Sequence, residues 1–301
     1  MKIKSLLIGS AAALVAVSGA RAADAVVIPE PEAVEYVRVC DAAGTGYFYI
    51  PGTETCLRIS GYVRYQIAGN QDSDGWEKDT EGRVLFQSWT DSEYGAVTTN
   101  IRLDANSING LGSGGTASNL AMDRAYITIG DLSMGLATNM YDFDADGAAD
   151  ALVANGVDRN QISYTVELGG GSLGIQLVED NAANYMPNVI AKATFDLGDL
   201  GVAAAVAYDD EDGAGDSSWG AKLVASYGGL GAHVAYSSEA GNGADYSANY
   251  DWVLGANYGL DVTDRLNLNL AVNYAIDEAI DSADDDFVIA AEPKNKLTDT
   301  F

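Results

Sequence analysis

The sequence predicts an all-β fold, an antiparallel transmembrane β-barrel. Three observations lead there. Apolar and polar residues alternate with period two along most of the chain, the connectors alternate between tight and long, and no apolar run after the first residues could make a membrane helix. The chain has 301 residues, a net charge of −28 and a single histidine. Such an acid excess argues against nucleic acid as a partner, because phosphate contacts need a basic face. Taken alone, the charge fits plain solubility equally well.

Residues 1–22 read as a signal peptide. Lys2 and Lys4 form a basic n-region, Leu6 to Val17 is apolar but too short to span a bilayer, and Ala20-Arg21-Ala22 fits the small-x-small cleavage rule. The protein is therefore expected to be exported. Residues 23–55 form a lead-in bearing Pro and Glu, and the barrel is expected over 56–301. Cys40 and Cys56 are the two cysteines. In an oxidising compartment they most simply form one disulfide, two buried thiols being the alternative. A zinc site fails, since it needs about four ligands and His233 is the one histidine.

From Cys56 onward the strands succeed one another. In "LRISGYVRYQI" Leu57, Ile59, Val63, Tyr65 and Ile67 alternate with Arg58, Ser60, Arg64 and Gln66. In "VTTNIRLD" Val97, Ile101 and Leu103 alternate with Thr98, Asn100, Arg102 and Asp104. "QISYTVEL" at 161–168 and "RLNLNLAVNYAI" at 265–276 repeat the pattern. Weaker copies lie at 83–90, 121–129, 133–140, 173–179, 188–197, 202–208, 219–227, 231–237, 251–260 and 286–292. About 14 strands are read in this way, and no segment shows a helical period.

The tight connectors are "DSEYG", "GDLSMG", "LGGGSLG", "LGDLG", "YGGLG" and "LDVTDR". The long ones, such as "NQDSDGWEKD", "SINGLGSGGTASN" and "DDEDGAGDSS", are acidic or rich in Gly, Asn and Ser. Short turns on one side and long loops on the other are the asymmetry of a membrane barrel. Periodicity alone does not say which face points in, and a periplasmic sandwich or solenoid shares it. The membrane reading is favoured by the number and length of the strands and by tyrosines near strand ends (Tyr164, Tyr208, Tyr227, Tyr236, Tyr258, Tyr274). Polar faces suited to a wet lumen support it too.

The opening "AVEYVRVCDAAGTGYFYIPGTETCLRISGYVRY" at 33–65 closely resembles the N-terminal signature of alphaproteobacterial outer-membrane porins of the rhizobial and brucellar type. "RAYITIG", "YMPNVIAKA" and "GVAAAVAYD" match more loosely, so the resemblance runs to about residue 210. It implies a homotrimeric general diffusion porin in the outer-membrane lipid, with a barrel of about 16 strands whose third long loop folds into the lumen. Small hydrophilic solutes would pass through it. The family ends in an alternating aromatic strand; here "EPKNKLTDTF" keeps the terminal Phe301, and Pro293 lacks the N–H that a strand paired on both sides requires.

"DFDADGAAD" at 142–150 opens like half of an EF-hand, but Val153 stands at the twelfth position, where a bidentate acid is needed. A looser cation site and a solvated loop remain as readings. The preferred one comes from the resemblance, since the segment is the third long connector: Asp142, Asp144, Asp146 and Asp150 form the acidic half of a constriction. Arg64, Arg83, Arg102 and Arg124 fall on the polar faces of the first four strands and would form the basic half. Buried in an apolar core they would be very costly, whereas in a wet lumen they stay hydrated.

An enzyme is not expected. A Ser-His-acid site would have to use His233, which lies in "GAHVAYSS" on a strand, the one histidine has no second for a metal, and "GSGG" at 112–115 lacks the lysine of a phosphate loop. No cofactor or metal is called for. The alternative class is a non-channel surface barrel acting as an adhesin or structural protein.

Overall fold

A computed structural model describes residues 37–69, 76–109, 117–143, 157–180, 186–210, 217–238, 246, 250–276 and 286–295. The chain divides into two units, Met1–Arg38 and Val39–Phe301, and the strands belong to the second. The signal-peptide reading of residues 1–22 lies outside the described residues.

The strands are β1 (Phe48–Tyr49), β2 (Cys56–Gly69), β3 (Trp76–Thr90), β4 (Val97–Asn109), β5 (Ala117–Ile129), β6 (Leu132–Thr138), β7 (Asp158–Glu167) and β8 (Gly171–Val178). They continue as β9 (Asn188–Leu197), β10 (Leu200–Asp209), β11 (Ser218–Tyr227), β12 (Leu230–Ser237), β13 (Trp252–Thr263), β14 (Leu266–Ile276) and β15 (Asp286–Asn295). They form one 15-stranded sheet in chain order, each strand antiparallel to the next. Every segment that the alternation marks as a strand is one, β2 through β15. The tight connectors turn on glycines that accept positive φ, such as Gly130 (φ 56°) and Gly228 (φ 58°).

Two details exceed the sequence reading. The strands β3–β5 run into the connectors read as loops, so that β3 has 15 residues where crossing a bilayer takes about 9–11. There the backbone ladder continues past the alternating stretch. Pro293, an unfavourable strand residue, lies in β15 opposite Leu268. Among the described residues β15 pairs with β14.

A disulfide staples the start of the sheet. Cys40 and Cys56 are bonded, with Cα atoms 6.1 Å apart, and both are fully buried. Between them lie a single 3₁₀ turn at Asp41–Ala43 and β1, which pairs with the first two residues of β2. The Cys40 N–H donates to the Tyr47 carbonyl at 2.9 Å, and the Arg58 guanidinium lies over the Tyr47 ring.

Burial then settles which face is which. In β7 the exposed residues include Ile162 at 52% and Tyr164, while Gln161 and Ser163, which alternate with them, are buried. In β8 Leu173, Ile175 and Leu177 are exposed and Gln176 is buried. In β14 Leu270, Val272 and Tyr274 are exposed, and Asn269 and Asn273 are buried. A water-soluble sheet would do the reverse, because each large apolar side chain left in water forgoes about 1.5–3 kcal/mol. The apolar faces therefore point to hydrocarbon. On that outward face Tyr208 packs on Trp219 and Tyr236 on Trp252 at the long-connector end, with ring centroids 4.7 and 4.8 Å apart. Tyr164, Tyr227 and Tyr258 mark the turn end. These are the two aromatic belts of a membrane barrel.

Two measurements test this. Replacing Cys40 and Cys56 by Ser is expected to lower stability by about 3 kcal/mol in the chain-entropy picture, read as a lower denaturant midpoint in detergent. Non-reducing mass spectrometry of the natural protein should show no free thiol. A cysteine at Asn100 should react with hydrophilic thiol reagents in intact membranes, and one at Ile101 or Ile175 should stay protected.

Candidate functional site

The inward face carries two unlike walls. The first is built by β2–β5 and holds a continuous ladder of opposite charges. Register makes it: Arg64 lies opposite Glu81, Tyr62 opposite Arg83, and Arg83 opposite Asp104. Arg64 pairs with Glu81, and Arg83 reaches Glu81 at 2.9 Å and Asp104 at 2.8 Å. Arg102 holds Asp104 at 2.7 Å and Asp123 at 3.0 Å, and Arg124 approaches Asp123 at 3.5 Å. Tyr62 donates its hydroxyl to Glu81 at 2.9 Å, and its ring lies 4.9 Å from the Arg83 guanidinium.

Asp123 joins the ladder through a bulge. Arg102 pairs with Arg124 and the next residue, Leu103, with Met122, so Asp123 is an extra residue between them. A bulge re-aims one side chain without breaking the sheet. Here it sets a carboxylate between two guanidiniums that would otherwise face each other directly.

The second wall is the inward face of β8–β14, covered by the beginning of the long connector after β6. There Tyr141 and Tyr246 pack with Val178, Ile190, Ala205, Ala207, Ala235, Val253 and Ala275 as a buried cluster, and Met140, Phe143 and Tyr250 lie against it. The two tyrosine rings meet edge to face at 5.5 Å. The Met140 N–H donates to Gln176 Oε1 at 2.7 Å. Lys192 sits over the Phe143 ring at 4.2 Å, close enough to Asp142 to feel its charge. Burial raises the pKa of the Tyr141 phenol, which stays neutral.

Of the residues expected at the site, Arg64, Arg83, Arg102 and Arg124 come together on one wall. Asp142 lies on the other, with Lys192. Asp144, Asp146 and Asp150 lie outside the described residues. Sequence reasoning missed Glu81, Asp123, Lys192 and Lys222, and it read Asp104 only as a polar-face residue. The signal for Glu81 and Asp104 was present, each two residues from an arginine and so on its face. Asp123 sits at the wrong parity, and only the bulge explains it.

An inward charged face, an outward apolar face and two aromatic belts define an outer-membrane-type β-barrel. The family model described as "Porin subfamily" matches residues 24–301, and the chain belongs to that family. It is a protein of the outer membrane. It is 40% identical over 240 residues to porin Omp2b of Brucella suis, covering 69% of this chain and 66% of that protein. It is 40% identical over 245 residues to porin Omp2a of Brucella canis, covering 69% and 67%. The chain thus spans about two-thirds of the length of the curated relatives it matches.

Two solved structures share the fold. The Salmonella typhi OmpF structure superposes with a TM-score of 0.58 at 12% identity, covering 81% of this chain and 87% of that one. The outer membrane channel DcaP of Acinetobacter baumannii gives 0.55 at 13% identity, covering 75% and 80%. At such identities the likeness is one of fold.

The ladder generates a stability ranking. Glu81 is buried and accepts from three side chains, so Glu81→Gln should cost about 1–3 kcal/mol. Arg64 is 56% exposed at the ladder's end, so Arg64→Gln should cost under about 1 kcal/mol. Urea midpoints in detergent check the order.

Proposed function

We propose that the chain forms a water-filled passive diffusion channel for small hydrophilic solutes and ions, working as a homotrimer within outer-membrane lipid. The observation that carries this reading is the inverted face pattern. Four arginines on the lipid side of a barrel would each cost roughly 2–4 kcal/mol near the bilayer midplane. Facing an aqueous lumen they are solvated, and the lumen then offers a polar route. No bond is made or broken in such transport, and solutes move down their gradients. Residues 1–22 serve as the export signal in this reading.

Selectivity would come from width and charge together. Asp142, with Asp144, Asp146 and Asp150, supplies acid on the connector wall. Arg64, Arg83, Arg102 and Arg124 supply base on the ladder wall. At a constriction the walls lie within about one Debye length, roughly 8 Å at physiological salt, so these charges are incompletely screened.

The refolded protein should give discrete conductance steps in planar bilayers. A barrel without steps would instead be the surface adhesin or structural protein. Replacing Asp142, Asp144 and Asp146 together by Asn keeps the shape and removes three charges. The reversal potential should move toward anions at low salt, with little change in conductance at high salt. An unmoved reversal potential would take these aspartates out of the constriction.

A further inference from the structure

Lys222 stands out on the inward face of β11. Its cross-strand partners are Ala205 on β10 and Ala235 on β12, and its same-face neighbours on β11 are Gly220 and Val224. It is a long cationic side chain in a field of small residues, yet it is only 4% exposed. What covers it is the start of the connector after β6. Lys222 Nζ donates to the Tyr141 carbonyl at 3.1 Å and to the Phe143 carbonyl at 3.3 Å. It also lies 4.7 Å from the centroid of the Tyr141 ring and 5.5 Å from that of Phe143.

We propose that Lys222 is a positioning residue that latches Asn139–Phe143 to the β11 wall and so fixes where the third long connector leaves that wall. This rests on the channel reading. Two of its bonds are to main-chain oxygens, so Lys222 acts on the path of the backbone itself. An ammonium taken from water needs acceptors, and these two carbonyls and two ring faces supply them. Gly220 completes the socket: a Cβ there would stand 2.7 Å from the Tyr141 hydroxyl oxygen and from the Tyr246 carbonyl. Met140 on Gln176 is a second fastening, on β8, about which a connector freed from Lys222 would pivot. Lys192, on β9, contacts the Phe143 ring but no carbonyl of the segment among the described bonds.

Two variants test the latch. Lys222→Met keeps the length and removes the donors, and Gly220→Ala displaces Tyr141 while leaving Lys222 intact. Each is read in two ways on protein whose folding is checked by heat-modifiable gel migration. The first readout is chymotrypsin cleavage after Tyr141 or Phe143, expected to be about tenfold faster in both variants because the segment opens more often. The second is open-channel current, expected to show about threefold more noise with the main conductance step retained.

Wild-type cleavage and wild-type noise in either folded variant would overturn the proposal. Faster cleavage with unchanged noise would also overturn it, since the latch would then not act on the pore. If Lys222→Met does not fold, Gly220→Ala alone decides. If the natural protein gives no conductance, the channel reading fails first, and the cleavage comparison still reports whether Lys222 holds the segment.

Discussion

Hydrocarbon offers no hydrogen-bond partner, and the rest of the structure depends on that. Each N–H and C=O of a membrane strand must find another strand, because an unsatisfied group costs several kcal/mol. The economical solution is a meander in which every strand pairs with the one before it, as β1 to β15 do. Once pairing is in sequence order, short turns fix the register. Register then fixes which residues share a face, since paired residues point the same way. The apolar set must face lipid, so the polar set faces inward.

The two walls solve the inward problem differently. On β2–β5 the inward positions hold long charged side chains that neutralise each other across strands. Most of these pairs are shielded from bulk water, and the cost of desolvating each charge offsets much of the attraction it gains, so the ladder is a weak net source of stability even though removing one partner is costly. Its main physical effect is on the field in the lumen. On β10–β12 several inward positions are small: Ala205, Ala207, Gly220 and Ala235. They leave room for Tyr141 and Phe143, and the connector fills what a large side chain would otherwise occupy. Placing the small residues on one wall gives the connector one side to lie on.

Much of this was legible in the residues. Alternation located β2 through β15 because each is half in lipid and half in water, the condition under which period two is written into sequence. It failed at 76–82, 105–109 and 117–120, where the ladder extends past the alternating stretch. It missed Phe48–Tyr49 because two residues carry no period. The arginines were found, each by its own strand. Their partners were not, because Glu81 meets Arg64 through a cross-strand register that no local pattern records. Lys222 was invisible for the same reason. It reaches two backbone carbonyls some eighty residues earlier, and a lysine on a polar strand face looks like any lumen lysine.

The ladder also changes what four arginines mean electrically. A lone guanidinium acts on a passing ion through a potential falling as the inverse of distance. Beside a carboxylate it becomes a dipole, whose potential falls faster. Along the ladder Arg83 and Arg102 each have two carboxylate partners, while Arg64 and Arg124 have one each. Among the described residues four guanidiniums share three carboxylates, which leaves one positive charge over, toward the ends. The ends are also the most open to water, with Arg64 at 56% and Arg124 at 37% exposure against 22% and 13% for the inner pair. Arg124 holds its carboxylate least closely, its Nε making no hydrogen bond at 3.5 Å from Asp123. The inner guanidiniums are therefore the more fully neutralised, and the unbalanced charge lies toward the two ends of the ladder.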